Sequence, residues 1–192
     1  MPRPPAVVFG NQVVHGWNPA GYATLLGVNY RVAARFTPQA LAGRLDRVLE
    51  SAQRLIDRFD AERMSHVPPE RKRTVRDLAF HVYRVGLSFI DAVDRGELPE
   101  SWFEERAPAD LVTGADVARY GALVRARITG WFQGAGTDYG PQAADELLER
   151  TVWHAGQHLR QLYVLAERLG VTAPAPLPMD ALQGLPLPEA IW

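Results

Sequence analysis

The chain contains no cysteine among its 192 residues. It therefore has no disulfide framework, no thiolate ligand for a metal and no cysteine nucleophile. Any thiol chemistry would need a thiol from a small molecule or a partner. The rest of the composition is that of an ordinary globular protein, with 47% hydrophobic and 22% charged residues. The length suits one full domain with a small appendage rather than two independent domains.

An excess of charge is also absent, because 21 Lys and Arg residues oppose 22 Asp and Glu residues. The formal net charge of −1 leaves no large basic field for a nucleic acid or an anionic membrane. No apolar run is long enough to span a bilayer. The opening letters MPRPPAVV lack the basic and then apolar plan of a signal peptide. We therefore expect a cytoplasmic protein that binds neither nucleic acid nor membrane.

Four segments carry apolar residues at the spacing of three and four that is typical of amphipathic helices. Three of them open at a threonine suited to cap a helix, and the fourth ends before a glycine. The helices are predicted to begin after Thr37, Thr74 and Thr113 and to cover residues 142–169. Residues 101–112 are predicted to be irregular and QGAGTDYGP to be a connecting loop. Four such helices predict a mostly α fold with a four-helix bundle.

The two ends of the chain differ from this helical middle. AVVFGNQVVHGWNP predicts two short strands around a Gly-Asn turn, and PAGYATLLGV predicts a short helix. Residues 171–192 hold too many prolines for a long helix and too many apolar side chains for a free linker. We therefore predict a hairpin and short helix in residues 1–36, the bundle in residues 37–170, and an extended tail packed on the bundle in residues 171–192.

The residues most suited to a functional site are the histidines, which are candidate metal ligands. His154 and His158 lie four residues apart in TVWHAGQHLRQLY, so both fall on one side of the fourth helix. Gln161 and Leu165 continue this stripe toward the bundle interior, and His81 lies on the inward stripe of the second helix. Two helices can thus bring three imidazoles together. Three neutral nitrogen ligands suit zinc, nickel or iron(II), with a fourth position left open for water or substrate.

A site without metal remains an alternative, since a histidine pair at this spacing alone is more often bonded to a neighbouring polar group. Two competing metal motifs are excluded by the letters. A zincin needs Glu directly after the first His, where Ala155 stands. A di-iron carboxylate bundle needs Glu three residues before a metal His. Those positions hold Leu78, Thr151 and Ala155.

RTVRDLAFHV, followed much later by LLERTVWHAGQHLRQLYVL, resembles the DinB/YfiT superfamily over residues 37–170. The resemblance implies a four-helix bundle in which His81, His154 and His158 form a metal triad. Members of this type include thiol-dependent S-transferases and mycothiol-dependent maleylpyruvate isomerases, and many others have no established activity. In the active members the metal is thought to bind and activate a low-molecular-weight thiol.

PPAVVFGNQVVHGWNPAGYATLLGV is similar to the C-terminal part of a glutaredoxin-like domain. The strand, the CxxC-type motif and the helix that would precede this part are missing. We therefore interpret the stretch as a remnant without redox activity. Its His15 and Trp17 are interpreted as packing residues of a hairpin docked on the bundle.

Several other polar or aromatic residues are considered for a role in the site or in packing. Gln161 could orient a ligand or a metal-bound water, which makes it the one catalytic candidate, or it could fix a neighbouring helix. Arg160 lies about 100° around the helix from Gln161 and is predicted at the surface. Trp153 and Tyr163 are predicted to pack in the core or an interface, and His66 to lie in an exposed loop.

Three functions remain open at this point. The first is a metal-dependent enzyme that activates a small thiol or water, a transferase, isomerase or hydrolase acting on a small-molecule substrate. The second is a non-catalytic metal-binding protein. The third is a purely structural bundle, or one that forms a homodimer, in which the histidines satisfy each other without metal. For the first, zinc is the expected metal, with nickel or iron as alternatives, and a low-molecular-weight thiol is the expected cosubstrate.

Overall fold

The computed structural model describes residues 6–15, 19–29, 36–135 and 142–192. These residues belong to two compact units, residues 1–35 and residues 36–192. In the first unit, strands β1 (Ala6–Phe9) and β2 (Gln12–His15) pair antiparallel, and helix α1 (Pro19–Leu26) follows. Gly10 takes a φ of 59° at the turn between the strands, a conformation that glycine adopts without strain. The predicted hairpin and short helix are thus confirmed.

The predicted roles of two hairpin residues cannot be followed in the same way. His15 pairs with Ala6 in the strand register, but its side chain lies outside the described part of the structure. Trp17 also lies outside the described residues. Their interpretation as packing residues stays a prediction, and so does the resemblance to a glutaredoxin-like domain.

The second unit is a four-helix bundle, as predicted. Helices α2 and α4 each pack against both α5 and α6, and α2 also touches α4. In the described part of the chain, no helix combines the length and the apolar character needed to cross a membrane. The helices of this unit are α2 (Pro38–Ile56), α3 (Ala61–Ser65), α4 (Val75–Arg95), α5 (Gly114–Ala135), α6 (Gln142–Arg168) and α7 (Met179–Leu182).

Threonine caps fix the starts of three bundle helices, as the sequence predicts. The hydroxyls of Thr37 and Thr74 each accept a hydrogen bond from the backbone N–H three residues later. At the start of α5, Thr113 and Asp116 exchange hydrogen bonds between side chain and backbone N–H in both directions. This reciprocal pair is a capping box, which satisfies N–H groups that the helix itself leaves unpaired.

Helix α4 is the central element of the bundle. Every residue from Asp77 to Ala92 is buried, whereas a helix on the surface of a globular protein buries only one stripe. Its polar side chains therefore cannot reach bulk water, and each needs a partner inside the protein to offset the cost of burial. This requirement makes the polar residues of α4 informative about function.

Three local features differ from the prediction. Helix α2 ends at Ile56, and the one-turn helix α3 follows it, capped by Asp60. The segment predicted to be irregular begins within a 3₁₀ turn, Glu100–Phe103. Helix α5 continues to Ala135, so the first letters of QGAGTDYGP are helical, and most of this loop lies outside the described residues. One-turn elements rest on few local bonds, which is why apolar periodicity does not reveal them.

The C-terminal segment, residues 171–192, lies against the bundle and contains the one-turn helix α7. Arg44 of α2 donates hydrogen bonds to the backbone carbonyls of Ala181 and Gln183. Leu182 is buried against Gly156 of α6, where an added Cβ would come within 2.7 Å of a Leu182 methyl carbon. A glycine at this position therefore permits the close approach of the segment to α6.

Candidate metal centre

The three predicted ligands come together between α4 and α6. The imidazole centroids of His154 and His158 lie 4.8 Å apart, and that of His81 lies 5.5 and 4.9 Å from them. One ring nitrogen from each side chain can be chosen such that all three lie within 4.8 Å of one another. Two nitrogens on one tetrahedral zinc are about 3.4 Å apart. Small side-chain rotations would therefore bring three nitrogens within bonding distance of one ion and leave its fourth position open.

The local fold explains how two helices deliver these rings to one place. His154 and His158 are separated by one turn of α6, so their side chains project from the same side of that helix. Val152, Ala155 and Leu159 alternate with them and are fully buried in the core. Their burial fixes the rotation of α6, and α4 packs directly against it.

Gln161 determines which nitrogen of His158 is available. The Gln161 amide nitrogen donates to the Ile191 carbonyl at 2.6 Å, so its oxygen faces His158. That oxygen lies 2.8 Å from His158 Nδ1 and can only accept, which requires the proton to be on Nδ1. The lone pair of His158 is therefore on Nε2. A partner of this kind is what metal-ligating histidines ordinarily have at their second nitrogen.

Two nitrogens of the cluster have no partner. His81 Nδ1 and His158 Nε2 are buried and make no hydrogen bond to any of the described residues. Buried polar atoms are paired in the great majority of cases, because an unpaired one costs free energy. The two unpaired atoms belong to rings whose centroids lie 4.9 Å apart, edge to face, across the α4–α6 contact. They are where a further ligand would bind.

Burial keeps the imidazoles neutral. Desolvation is the main cause that lowers the pKa of His81 to about 3, and the charges of His158, Arg73 and Arg84 lower it further. Desolvation also lowers the pKa of His158 to about 4, although the hydrogen bond to Gln161 opposes this shift. The pKa of His154 is lowered well below its ordinary value by the same cause. Neutral imidazole is the form that binds a metal ion.

A cavity of about 260 Å³ opens onto the histidines. The Phe103 ring, from the 3₁₀ turn, lies 5.8 Å from the His154 ring and forms one wall. The sequence reasoning missed this wall because Phe103 lies in a segment predicted to be irregular. It also gave no role to the two arginines that border the cavity. The lining residues are Pro68, Arg71, Arg73, Thr74, Leu78, His81, Phe103, His154 and His158.

The other residues singled out from the sequence lie outside this cavity. Arg160, predicted at the surface, stays partly exposed and donates to the Gln157 side chain and to the Pro188 carbonyl. The residue faces the C-terminal segment, which helical spacing cannot reveal. Tyr163 donates to a carbonyl of the same segment. His66 is exposed, as predicted.

The comparison with protein families bears on the same residues. The family model of the DinB superfamily matches residues 44–162, more than half of the chain, including all three histidines. The chain belongs to the DinB superfamily. No curated protein and no solved structure gives a significant match. Membership in this superfamily and the histidine group together allow metal binding at the α4–α6 contact.

Proposed function

We propose that this DinB-superfamily protein binds a divalent metal ion through His81, His154 and His158 and uses it to activate a small thiol or water. Zinc is the expected metal, because three neutral imidazoles and an open position form the donor set of catalytic zinc sites. Nickel and iron(II) accept the same ligands. The reaction class is that of a thiol S-transferase or isomerase acting on a small molecule.

The observation that carries the proposal is the pair of buried nitrogens without a partner, His81 Nδ1 and His158 Nε2. A bundle that used its histidines only for packing would be expected to pair them with each other or with nearby hydroxyls. Instead, the hydrogen bond to Gln161, the one side-chain partner that the ring has among the described residues, leaves the His158 lone pair on Nε2 without an acceptor or donor there. The residues present therefore fit a metal ion.

Each part of the site has a separate task in this proposal. A bound metal supplies a Lewis acid that lowers the pKa of a thiol or water joining it. Gln161 holds His158 in one tautomer, and burial keeps all three imidazoles unprotonated at neutral pH. Leu78 and Phe103 give the cavity an apolar wall. The chain has no cysteine, so a thiol would come from a cosubstrate.

The direct test is elemental analysis by plasma mass spectrometry on protein purified without added metal or chelator. We expect close to one equivalent of zinc, nickel or iron in the wild type. His154→Ala should lose this metal while its circular dichroism stays helical, and His66→Ala is the matched control because His66 is exposed and does not line the cavity. Stoichiometric metal in His154→Ala would refute the assignment of the ligands.

Activity is tested separately from metal content. The metal-loaded protein is mixed with a low-molecular-weight thiol and an electrophilic acceptor, and loss of free thiol is followed over time. We expect turnover that disappears in His154→Ala and is retained in His66→Ala. Bound metal without turnover over a broad set of thiols and acceptors would favour a non-catalytic metal-binding protein.

A further inference from the structure

Four arginines lie at or near the histidine cavity, and two of them, Arg84 and Arg168, are paired with carboxylates. Arg84, whose charge acts on His81, donates to Glu105 at 2.8 Å and to Asp91 at 3.3 Å. Arg168, beside the C-terminal segment, donates to Glu70 at 2.7 Å. These two guanidinium groups therefore hold local partners of opposite charge and contribute little net field to the cavity.

Arg71 and Arg73 differ from these neighbours because their partners are neutral. Arg73 donates to the Phe103 backbone carbonyl at 3.0 Å. The Arg71 guanidinium carbon lies 5.6 Å from the centre of the Trp192 ring. Among the described residues, no carboxylate forms an ion pair with either arginine. Both therefore bring an uncompensated positive charge to the cavity wall.

The rest of the cavity matches a small amphipathic ligand. No acidic side chain occurs among the described residues that line it, whereas Pro68, Leu78 and Phe103 provide apolar surface. Its volume of about 260 Å³ is below the range of about 300–1,000 Å³ that is usual for drug-sized ligands. Arg71 is exposed and Arg73 is half-buried, so both charged groups remain accessible to solvent.

We infer that Arg71 and Arg73 form an anion-binding subsite, and that the cavity accepts a small organic carboxylate. The carboxylate contacts the two guanidinium groups, and its apolar body lies against Leu78 and Phe103. Planar guanidinium groups suit this task because they present several donors in the geometry of a carboxylate. As a statement about the substrate, this inference rests on the proposed function. As a statement about binding, it requires no metal.

The test uses metal-free protein at pH 8, where histidine is neutral even at its ordinary pKa. Benzoate is the probe and benzamide is its neutral counterpart, with binding followed by titration calorimetry at low ionic strength. We expect millimolar or tighter binding of benzoate, at least tenfold weaker binding of benzamide, and weakening of benzoate binding by added salt. The double variant Arg71→Gln/Arg73→Gln should bind benzoate at least tenfold more weakly.

Two further variants keep the result interpretable. Arg54→Gln/Arg119→Gln removes the same charge from arginines that pair with Glu50 and Asp116 away from the cavity, and should bind benzoate like the wild type. Arg71→Lys/Arg73→Lys keeps the charge and should retain part of the affinity. Equal affinity for benzoate and benzamide, or unchanged affinity in the glutamine variant, would overturn the inference. Neither outcome depends on metal content, so the proposed function stands or fails separately.

Discussion

Two buried polar side chains one turn apart on α4 differ in whether the protein provides them with hydrogen-bond partners. His81 is 5% exposed and Arg84 is 7% exposed, so both have left water to nearly the same extent. Arg84 is bonded to Glu105 and Asp91, and Asp91 is bonded in turn to Arg127. His81 Nδ1 has no hydrogen-bond partner among the described residues.

This difference separates a buried group whose hydrogen-bond partners come from the protein from one whose partner would come from a bound ligand. Around Arg84, the protein itself supplies the groups that offset the cost of burying a charge. Around His81, it supplies two further imidazoles, and Nε2 of one of them, His158, also has no hydrogen-bond partner among the described residues. Tyr83 shows that a single unpaired atom is not enough: its buried hydroxyl also lacks a hydrogen-bond partner in the described part of the chain, but its ring lies against Gly121 and outside the histidine group.

The largest expected effect distinguishes the surroundings of His81 from those of Arg84. It is the pH dependence of the free energy of unfolding of the metal-free protein. Since the folded pKa values of His81 and His158 are lowered to about 3 and about 4 from the ordinary 6.5, the unfolded chain binds protons first as the pH falls. Stability is therefore complete above pH 6.5 and decreases below it. From about pH 6.5 to 5 the loss is about 2 kcal/mol for each imidazole.

Urea unfolding at a series of pH values measures this loss. His81→Leu should reduce the loss of stability between about pH 6.5 and 5 by the contribution of one imidazole. This reduction distinguishes the histidines from carboxylates, which titrate at lower pH. A pH profile that is identical in the wild type and in His81→Leu would show that His81 is not held neutral by the fold.

The second effect comes from breaking the satisfied cluster. Asp91→Asn keeps the shape of the side chain but leaves Arg84 and Arg127 with a neutral partner. Because Arg84 retains Glu105, we expect a loss of about 2 kcal/mol in the free energy of unfolding, less than for a fully isolated buried charge. The measurement is urea unfolding at pH 7.5, and an unchanged midpoint would contradict it.

The third effect concerns the hydrogen bond by which Gln161 orients His158 for metal binding. Gln161→Leu removes the acceptor that fixes the tautomer of His158, and we expect metal affinity to fall about tenfold. Gln157→Leu is the matched control, because Gln157 bonds the same carbonyl of Ile191 but does not bond a histidine in the described structure. Competition with a chelator measures both. Equal loss in the two variants would mean that Gln161 acts only by anchoring the C-terminal segment.

The smallest effect has the opposite sign to that of Asp91→Asn. His81→Leu replaces an unpaired imidazole with an apolar side chain of similar reach, so metal-free stability at pH 7.5 should stay constant or rise by about 1 kcal/mol. The same variant should lose bound metal. Destabilisation comparable to that of Asp91→Asn would show that His81 has a partner that supports the fold.

The bundle and the meeting of its three histidines follow from local information. The cap residues Thr37, Thr74 and Thr113 act within one turn, and helical spacing alone places His154 and His158 on one side. His81 joins them because inward stripes of neighbouring helices must meet. These features can be predicted because each depends on residues fewer than five positions apart or on burial.

The surroundings of the site depend on contacts that the sequence pattern does not encode. Phe103 reaches the histidines from a 3₁₀ turn, and Arg160 is covered by a segment almost thirty residues away. The sequence allows Gln161 either to orient a ligand or to fix a neighbouring helix. In the structure it is hydrogen-bonded to His158 and to the Ile191 carbonyl. Such partners become visible only once the irregular segments are placed.

The chain of hydrogen bonds from the Ile191 carbonyl through Gln161 to His158 has a kinetic consequence. Two equilibria that share one amide group are reciprocal, so a ligand that holds His158 in place also holds the C-terminal segment on the bundle. Proteolysis of a segment follows the population of its detached form when detachment is fast. We therefore expect a protease to cut within residues 171–192 more slowly when a ligand is bound at His158.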